Sequence, residues 1–395
     1  MKFNCKFSLA VAMMAMASSA MLVSCDDDDD DNNSILDSAK ETALASVNES
    51  YVDNVVVPTY KSLADECEAL VEAVSKFEDG ITDAEVEAAC EKWIEARKYW
   101  EWSEAFLFGA AADYAIDPHI DTWPFDETMF NTLMKNNAPT ASEENKAIID
   151  HNIATSQNLT GFHALEYLIF RDGAARPAAD INADEAYFCQ AVAEDLYLNT
   201  TKLQASWAGL DNVSSARQEL LADAEYEPTS DYGDEFKNAG QAGSRWKTAT
   251  DAAINIIEGC QDIIGEVSEA KIGSAATGED VSYIESPNSY NSITDFYDNI
   301  ISCVHAFYGS MDITKVSDAS SLASATNSLA AYCLLTHSEA TAEVSSKMAS
   351  ALLKIAAMKA PFVKYYNDES AKEAMEALDE LDEAFDSLKA KLQED

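Results

Sequence analysis

Apolar residues recur at three- and four-residue steps along most of this chain. In its last segment Met375, Leu378, Leu381, Phe385, Leu388 and Leu392 keep that spacing, with acids and lysines between them. This pattern predicts an amphipathic helix with one buried stripe. Val86, Ala89, Trp93, Ala96 and Trp100 predict a helix from about Asp83, closed at Phe108-Gly109 because glycine commonly ends helices. Further helices are expected from Ser142 into the 150s, and from Thr160-Gly161 to Asp172-Gly173. No run alternates apolar and polar residues as a half-buried strand would. With only 13 Gly and 8 Pro in 395 residues, chain breakers are scarce. The expected fold class is therefore all-α, built of helical bundles. The polar stretch Tyr226–Phe236 is the expected break, dividing 41–230 from 231–395 as two bundle halves. A long helix ending in aromatic-Gly in each half, Phe108-Gly109 and Tyr308-Gly309, hints at a remote internal duplication.

The start of the chain follows a different pattern. Lys2 and Lys6 precede an uncharged run, Phe7–Val23, of 17 residues. That suits the apolar region of a signal peptide and is short for a membrane span. The run ends in Leu22-Val23-Ser24-Cys25, which resembles the lipobox of bacterial lipoproteins. Residues 1–24 are expected to be a signal peptide and Cys25 the lipidated residue. Asp26 to Asp31, then Asn32, Asn33 and Ser34, offer nothing to a core. The stretch 25–40 is accordingly expected to be a solvated acidic tether. An outer-membrane lipoprotein is expected, exposed at the cell surface or otherwise on the periplasmic face, with the membrane as its partner through the lipid.

Net charge is −45. Such a chain repels nucleic acid and anionic membrane surfaces, and it attracts cations. Past Cys25 there are six cysteines, Cys67, Cys90, Cys189, Cys260, Cys303 and Cys333, with no CxxC pair. They sit among apolar residues, where a thiol acts as a small hydrophobe, and no disulfide is expected.

Candidate chemistry centres on Gly161-Phe162-His163-Ala164-Leu165-Glu166. On a helix, residues three apart share a face, so His163 and Glu166 can converge on one metal ion. The plain alternative is a helix-surface pair. His119, in Asp117-Pro118-His119-Ile120-Asp121, is a second candidate ligand. The zinc-protease patterns HExxH and HxxEH are absent.

The 161–166 segment resembles the GxHxxE motif of the imelysin family. Other blocks agree with that family: Trp93 to Trp100 followed by Ser103-Glu104-Ala105-Phe106 and Phe108-Gly109, then Trp123-Pro124, Glu285-Ser286, Asn291-Ser292, Asp295-Phe296 and Tyr308-Gly309. The resemblance implies an exported, all-helical protein of two bundle-like halves, linked to iron uptake, with the motif near a pocket between them. The family name comes from a proposed metallopeptidase activity. Three functions follow. The first is an envelope protein binding iron or an iron-bearing compound, with envelope uptake components as partners. Here His163 and Glu166 are ligands, Glu104, Asp121 and His119 are further donors, and Arg97, Trp123, Ser286 and Tyr290 shape the pocket. Imidazole with carboxylates suits iron better than zinc in this set. The second is a zinc peptidase, for which no separate general base stands out. The third is a non-enzymatic surface protein in which Arg97 pairs with Glu104 or Glu166.

Overall fold

The computed structural model describes residues 29–134, 141–313 and 327–394. The expected signal peptide, 1–24, and Cys25 lie outside the described residues. Helix α1 spans Asp29–Tyr51, so helix begins inside the run expected to be a tether. A π-helical turn, Val52–Val56, carries it without a break into α2, Val57–Val74.

The capping box of Thr82 and Glu85 starts α3, Asp83–Glu101, by satisfying the free N–H groups of its first turn. Its predicted stripe is buried: Val86, Ala89, Trp93, Ala96 and Trp100. The helix stops at Glu101, earlier than expected, and the chain tightens into a 3₁₀ turn at Glu104–Phe106 before Gly109. Short α4 is Asp117–Asp121, and α5 is Gly161–Ile169. A two-stranded antiparallel ribbon, Phe170–Arg171 with Ala174–Ala175, follows α5 where the sequence predicts continued helix. Next comes α6, Ala183–Ala208, which packs on α2 as α2 packs on α3.

The second half is a four-helix arrangement. Its members are α7, Ala249–Gly265, α8, Ser292–Tyr308, α9, Ser338–Ala356, and α10, Glu369–Glu394. Helix α10 packs on α7 and α9, and α8 packs on the same two helices. The α10 stripe predicted from sequence is the buried one, from Leu378 to Leu392.

The halves meet where α8 lies on α3 and where the Glu104–Phe106 turn lies on α7. That approach is close: a Cβ on Gly259 would stand 2.1 Å from the Ala105 carbonyl oxygen. Polar bonds tie the seam as well, including Trp102 Nε1 to Asp298 at 2.9 Å and the Ala105 N–H to Ser302 Oγ at 3.1 Å. One hydrophobic core runs through both halves, and Glu41–Asp395 forms one compact unit rather than two separate bodies. No described helix is long and apolar enough to cross a membrane.

Candidate metal centre

The centre lies at the seam between the halves, and a short-range steric fact positions it. Gly161 has φ +77°, and a Cβ there would stand 2.2 Å from the Ile120 carbonyl oxygen. Only glycine allows α5 to begin pressed against the end of α4. Trp93 Nε1 fixes the same turn by donating to the Phe162 carbonyl at 2.9 Å. This brings His163 beside Asp121: Nε2 to Oδ1 is 3.0 Å, and Nε2 to Glu285 Oε1 is 3.9 Å. The other ring nitrogen of this buried histidine, Nδ1, makes no hydrogen bond, and Glu285 Oε2 makes none either.

Arg97 holds the carboxylates together. It is fully buried, paired through Nη1 to Asp121, through Nη2 to Glu285 at 2.6 Å and through Nε to Glu101 at 2.5 Å. Asp295 Oδ2 lies 3.9 Å from the same Nε and accepts from Ser286 Oγ. Lys271 adds the second cation, its Nζ 3.2 Å from Glu285 Oε1. Five carboxylates, Glu101, Glu104, Asp121, Glu285 and Asp295, thus share two cationic side chains in a dry interior. Their titration reflects it. Burial pushes Glu101 and Glu104 well above the usual carboxylate range, against the pull of Arg97 and Lys271 respectively. Burial likewise raises Asp295 to about 8, opposed by Arg97. Burial would raise Asp121 too, but Arg97 and then His163 outweigh it and hold that carboxyl well below its ordinary value.

The predicted residues separate in space. Asp121 and His163 converge, and Glu104 lies near them in a triad with Glu101 and Asp121. Glu166 is engaged elsewhere. Its Oε1 accepts the Asn288 N–H and the Ser289 N–H, both at 2.7 Å, and Ser289 Oγ at 2.9 Å. It clamps the loop that carries Glu285, and both His163 and Glu166 are buried rather than a surface pair. His119 leaves the cluster: its Nδ1 is 3.8 Å from Asp195 Oδ2, beside a separate pocket lined by residues 154–158. Tyr290 is a latch, its hydroxyl donating to Asp172 at 3.0 Å while the Gly173 N–H donates to the Asn288 carbonyl. Ser286 positions Asp295. Arg97 is the pivot of the cluster and pairs with neither Glu104 nor Glu166.

Trp123, joined to Pro124 by a cis peptide, lays its ring 4.4 Å from that of His163. Both line a cleft of about 730 Å³ bounded by residues 122–128 of the first half and by Val281, Ile284 and Pro287 of the second. Sequence reasoning missed Glu101, Lys271, Glu285 and Asp295 as members of the centre. The i, i+4 spacing of Arg97 and Glu101 was the one local signal for the first. The other three come from the far half.

Fold and site define an all-helical protein of two bundles with a buried, acid-rich centre between them. The chain belongs to the imelysin family, a family classed among peptidases, whose model matches residues 56–388. Iron-regulated protein A of Synechococcus elongatus is 28% identical over 251 residues, covering 64% of this chain and 60% of that protein's length. A solved structure from Parabacteroides distasonis, of a candidate iron-regulated protein A precursor, superposes with a TM-score of 0.74 at 25% identity. It covers 89% of this chain and 95% of its own. An imelysin-like protein from Psychrobacter arcticum shares the fold, with a TM-score of 0.56 at 13% identity over 92% of this chain and 95% of that one.

Proposed function

We propose that this chain is an iron-binding protein anchored at the cell envelope, holding the metal through His163, Asp121 and Glu285. The observation that carries the reading is the buried imidazole of His163, whose Nε2 faces two carboxylates, Asp121 at 3.0 Å and Glu285 at 3.9 Å, while Glu285 Oε2 makes no hydrogen bond. Buried donor atoms of this kind, converging on one point, are costly unless a ligand completes them. The three donor atoms lie within 4.8 Å of one another. Ligands bound at about 2.1 Å from one ion stand roughly 3 to 4 Å apart, so the Nε2 distances to both carboxylates suit a shared cation. The buried carboxylates, whose protons burial retains, would release them on binding such an ion and so neutralise it. Imidazole with carboxylate oxygens and no thiolate favours iron over soft metals. The cleft over Trp123 gives the metal, or a compound carrying it, a route from solvent. A lipid on Cys25 would hold this body at the outer membrane, with uptake components as its partners.

Glu166 is tied to the Asn288–Ser289 loop, which argues against a role as the mobile base of a zinc peptidase. Anaerobic Fe(II) titration of the full chain tests the reading. Wild type is expected to bind, and His163→Ala to lose at least 100-fold in affinity while keeping its helical circular dichroism. Unchanged affinity in His163→Ala sinks the metal reading. Zinc-dependent peptide cleavage lost in Glu166→Gln would replace it with the peptidase. For the anchor, labelling with an alkyne fatty acid should mark wild type and not Cys25→Ser.

A further inference from the structure

The centre holds two overlapping sets of donors. Asp121, His163 and Glu285 form one, and Glu101, Glu104 and Asp121 form the other, with Asp121 common to both. The sets differ in what faces them. In the first, the His163 imidazole faces Asp121 and Glu285, and Glu285 Oε2 makes no hydrogen bond. Beside the second stands an ammonium. Lys271 Nζ lies 3.7 Å from Glu104 Oε1 and 3.8 Å from Glu101 Oε2, besides its 3.2 Å contact with Glu285.

Lys271 is itself buried, an uncommon place for a lysine unless carboxylates surround it. It projects from a π-helical segment, Glu266–Ile272. Such segments are rare and recur at functional sites, since the extra residue per turn re-aims a side chain. The four-carbon stem of lysine delivers a compact point charge with freedom to shift. An alternative partner lies close: Glu266 Oε1 is 4.0 Å from Nζ, and its side chain is half exposed. A small pocket of about 150 Å³, lined by Glu104, Asp262 and Glu266, borders the second set at Glu104.

We propose that Lys271 is a tethered cation that occupies a second divalent-metal position, formed by Glu101, Glu104 and Asp121, and so limits the centre to one ion. The inference rests on the metal reading above. Its physical basis is competition: an ammonium and a divalent cation cannot share carboxylates whose donor atoms lie within 4.8 Å of one another without strong repulsion. The ammonium also draws on Glu285, a ligand of the first position, and so weakens that position too.

The test is anaerobic Fe(II) calorimetry with elemental analysis after desalting, on the full chain. Wild type is expected to hold one ion. Lys271→Met is expected to hold two, with the first bound about tenfold or more tightly. Lys271→Arg keeps the charge and should stay at one. Adding Glu104→Gln to Lys271→Met removes a donor of the second position and should return the count to one. Two ions in wild type, or one ion at unchanged affinity in Lys271→Met, overturns the inference while leaving the metal reading standing. A folded wild type that binds no ion overturns the metal reading itself. Should Lys271→Met fail to fold alone, uncompensated acids are the expected cause, and refolding with Fe(II) should rescue it with two ions bound. Failure of that rescue counts against the inference.

Discussion

Two buried arginines each gather carboxylates from other parts of the chain, and their settings differ. Arg217 reaches Asp65 at 2.8 Å and Glu68 at 3.0 Å on α2, and Gln204 at 2.8 Å on α6. Those two acids are 44% and 49% exposed, so water screens their charge. Arg97 binds Glu101, Asp121 and Glu285, all 8% exposed or less, inside a set where acids outnumber cations. The same residue type fastens helices in the first place and restrains a charge surplus in the second. Screening by solvent makes the difference: exposed ion pairs contribute little, and desolvated ones carry large opposing terms. A charge surplus is tolerable at the surface and calls for a cation in the interior.

Four substitutions probe this contrast. Arg97→Met should cost the metal-free protein about 3 to 5 kcal/mol, because it strands buried carboxylates. Urea unfolding measures this, and a loss no greater than that of Arg217→Met would erase the distinction. Gly161→Ala should cost about 3 kcal/mol, since the new methyl group meets the Ile120 carbonyl and the backbone stays left-handed. It should also weaken metal binding, because His163 is placed by that contact. Asp295→Asn addresses pH. The Asp295 carboxyl, raised by burial to about 8, keeps its proton in the fold and loses it in the unfolded chain above its ordinary value. Its contribution is therefore full below about pH 4 and is lost as pH rises through about 8. The melting-temperature difference between Asp295→Asn and wild type, metal-free, should grow in the variant's favour across that window. A difference that stays flat from pH 4 to 8 would show that Asp295 is ionised throughout. Arg217→Met should cost about 1 kcal/mol or less, and less again at high salt.

Helix positions were legible from sequence because a buried stripe repeats with the helical period, as α10 and α3 show. Helix ends were less so. The predicted helix to Phe108 stops at Glu101, where Trp102 and the Glu104–Phe106 turn are recruited by α7 and α8. Of the candidate donors, His163 and Asp121 come together, and Glu166 does not join them. Spacing of i and i+3 places two side chains on adjacent parts of a helix surface, but it cannot say what each one meets. On α5 that surface is buried almost all round, so the two residues meet different partners.

By itself the sequence determined the class of fold, the repeated apolar stripes and the motif that brings α5 against α4, since these depend on periodicity and on a position that only glycine can fill. It also set the overall acidity. Tertiary structure alone decided which acids became desolvated, that Arg97 and Lys271 would be shared among them, and that Glu285 would stand beside His163. The reason is physical: burial, and the low dielectric that comes with it, belongs to the packing of two halves joined across 188 residues from Arg97 to Glu285, and no local pattern encodes that contact.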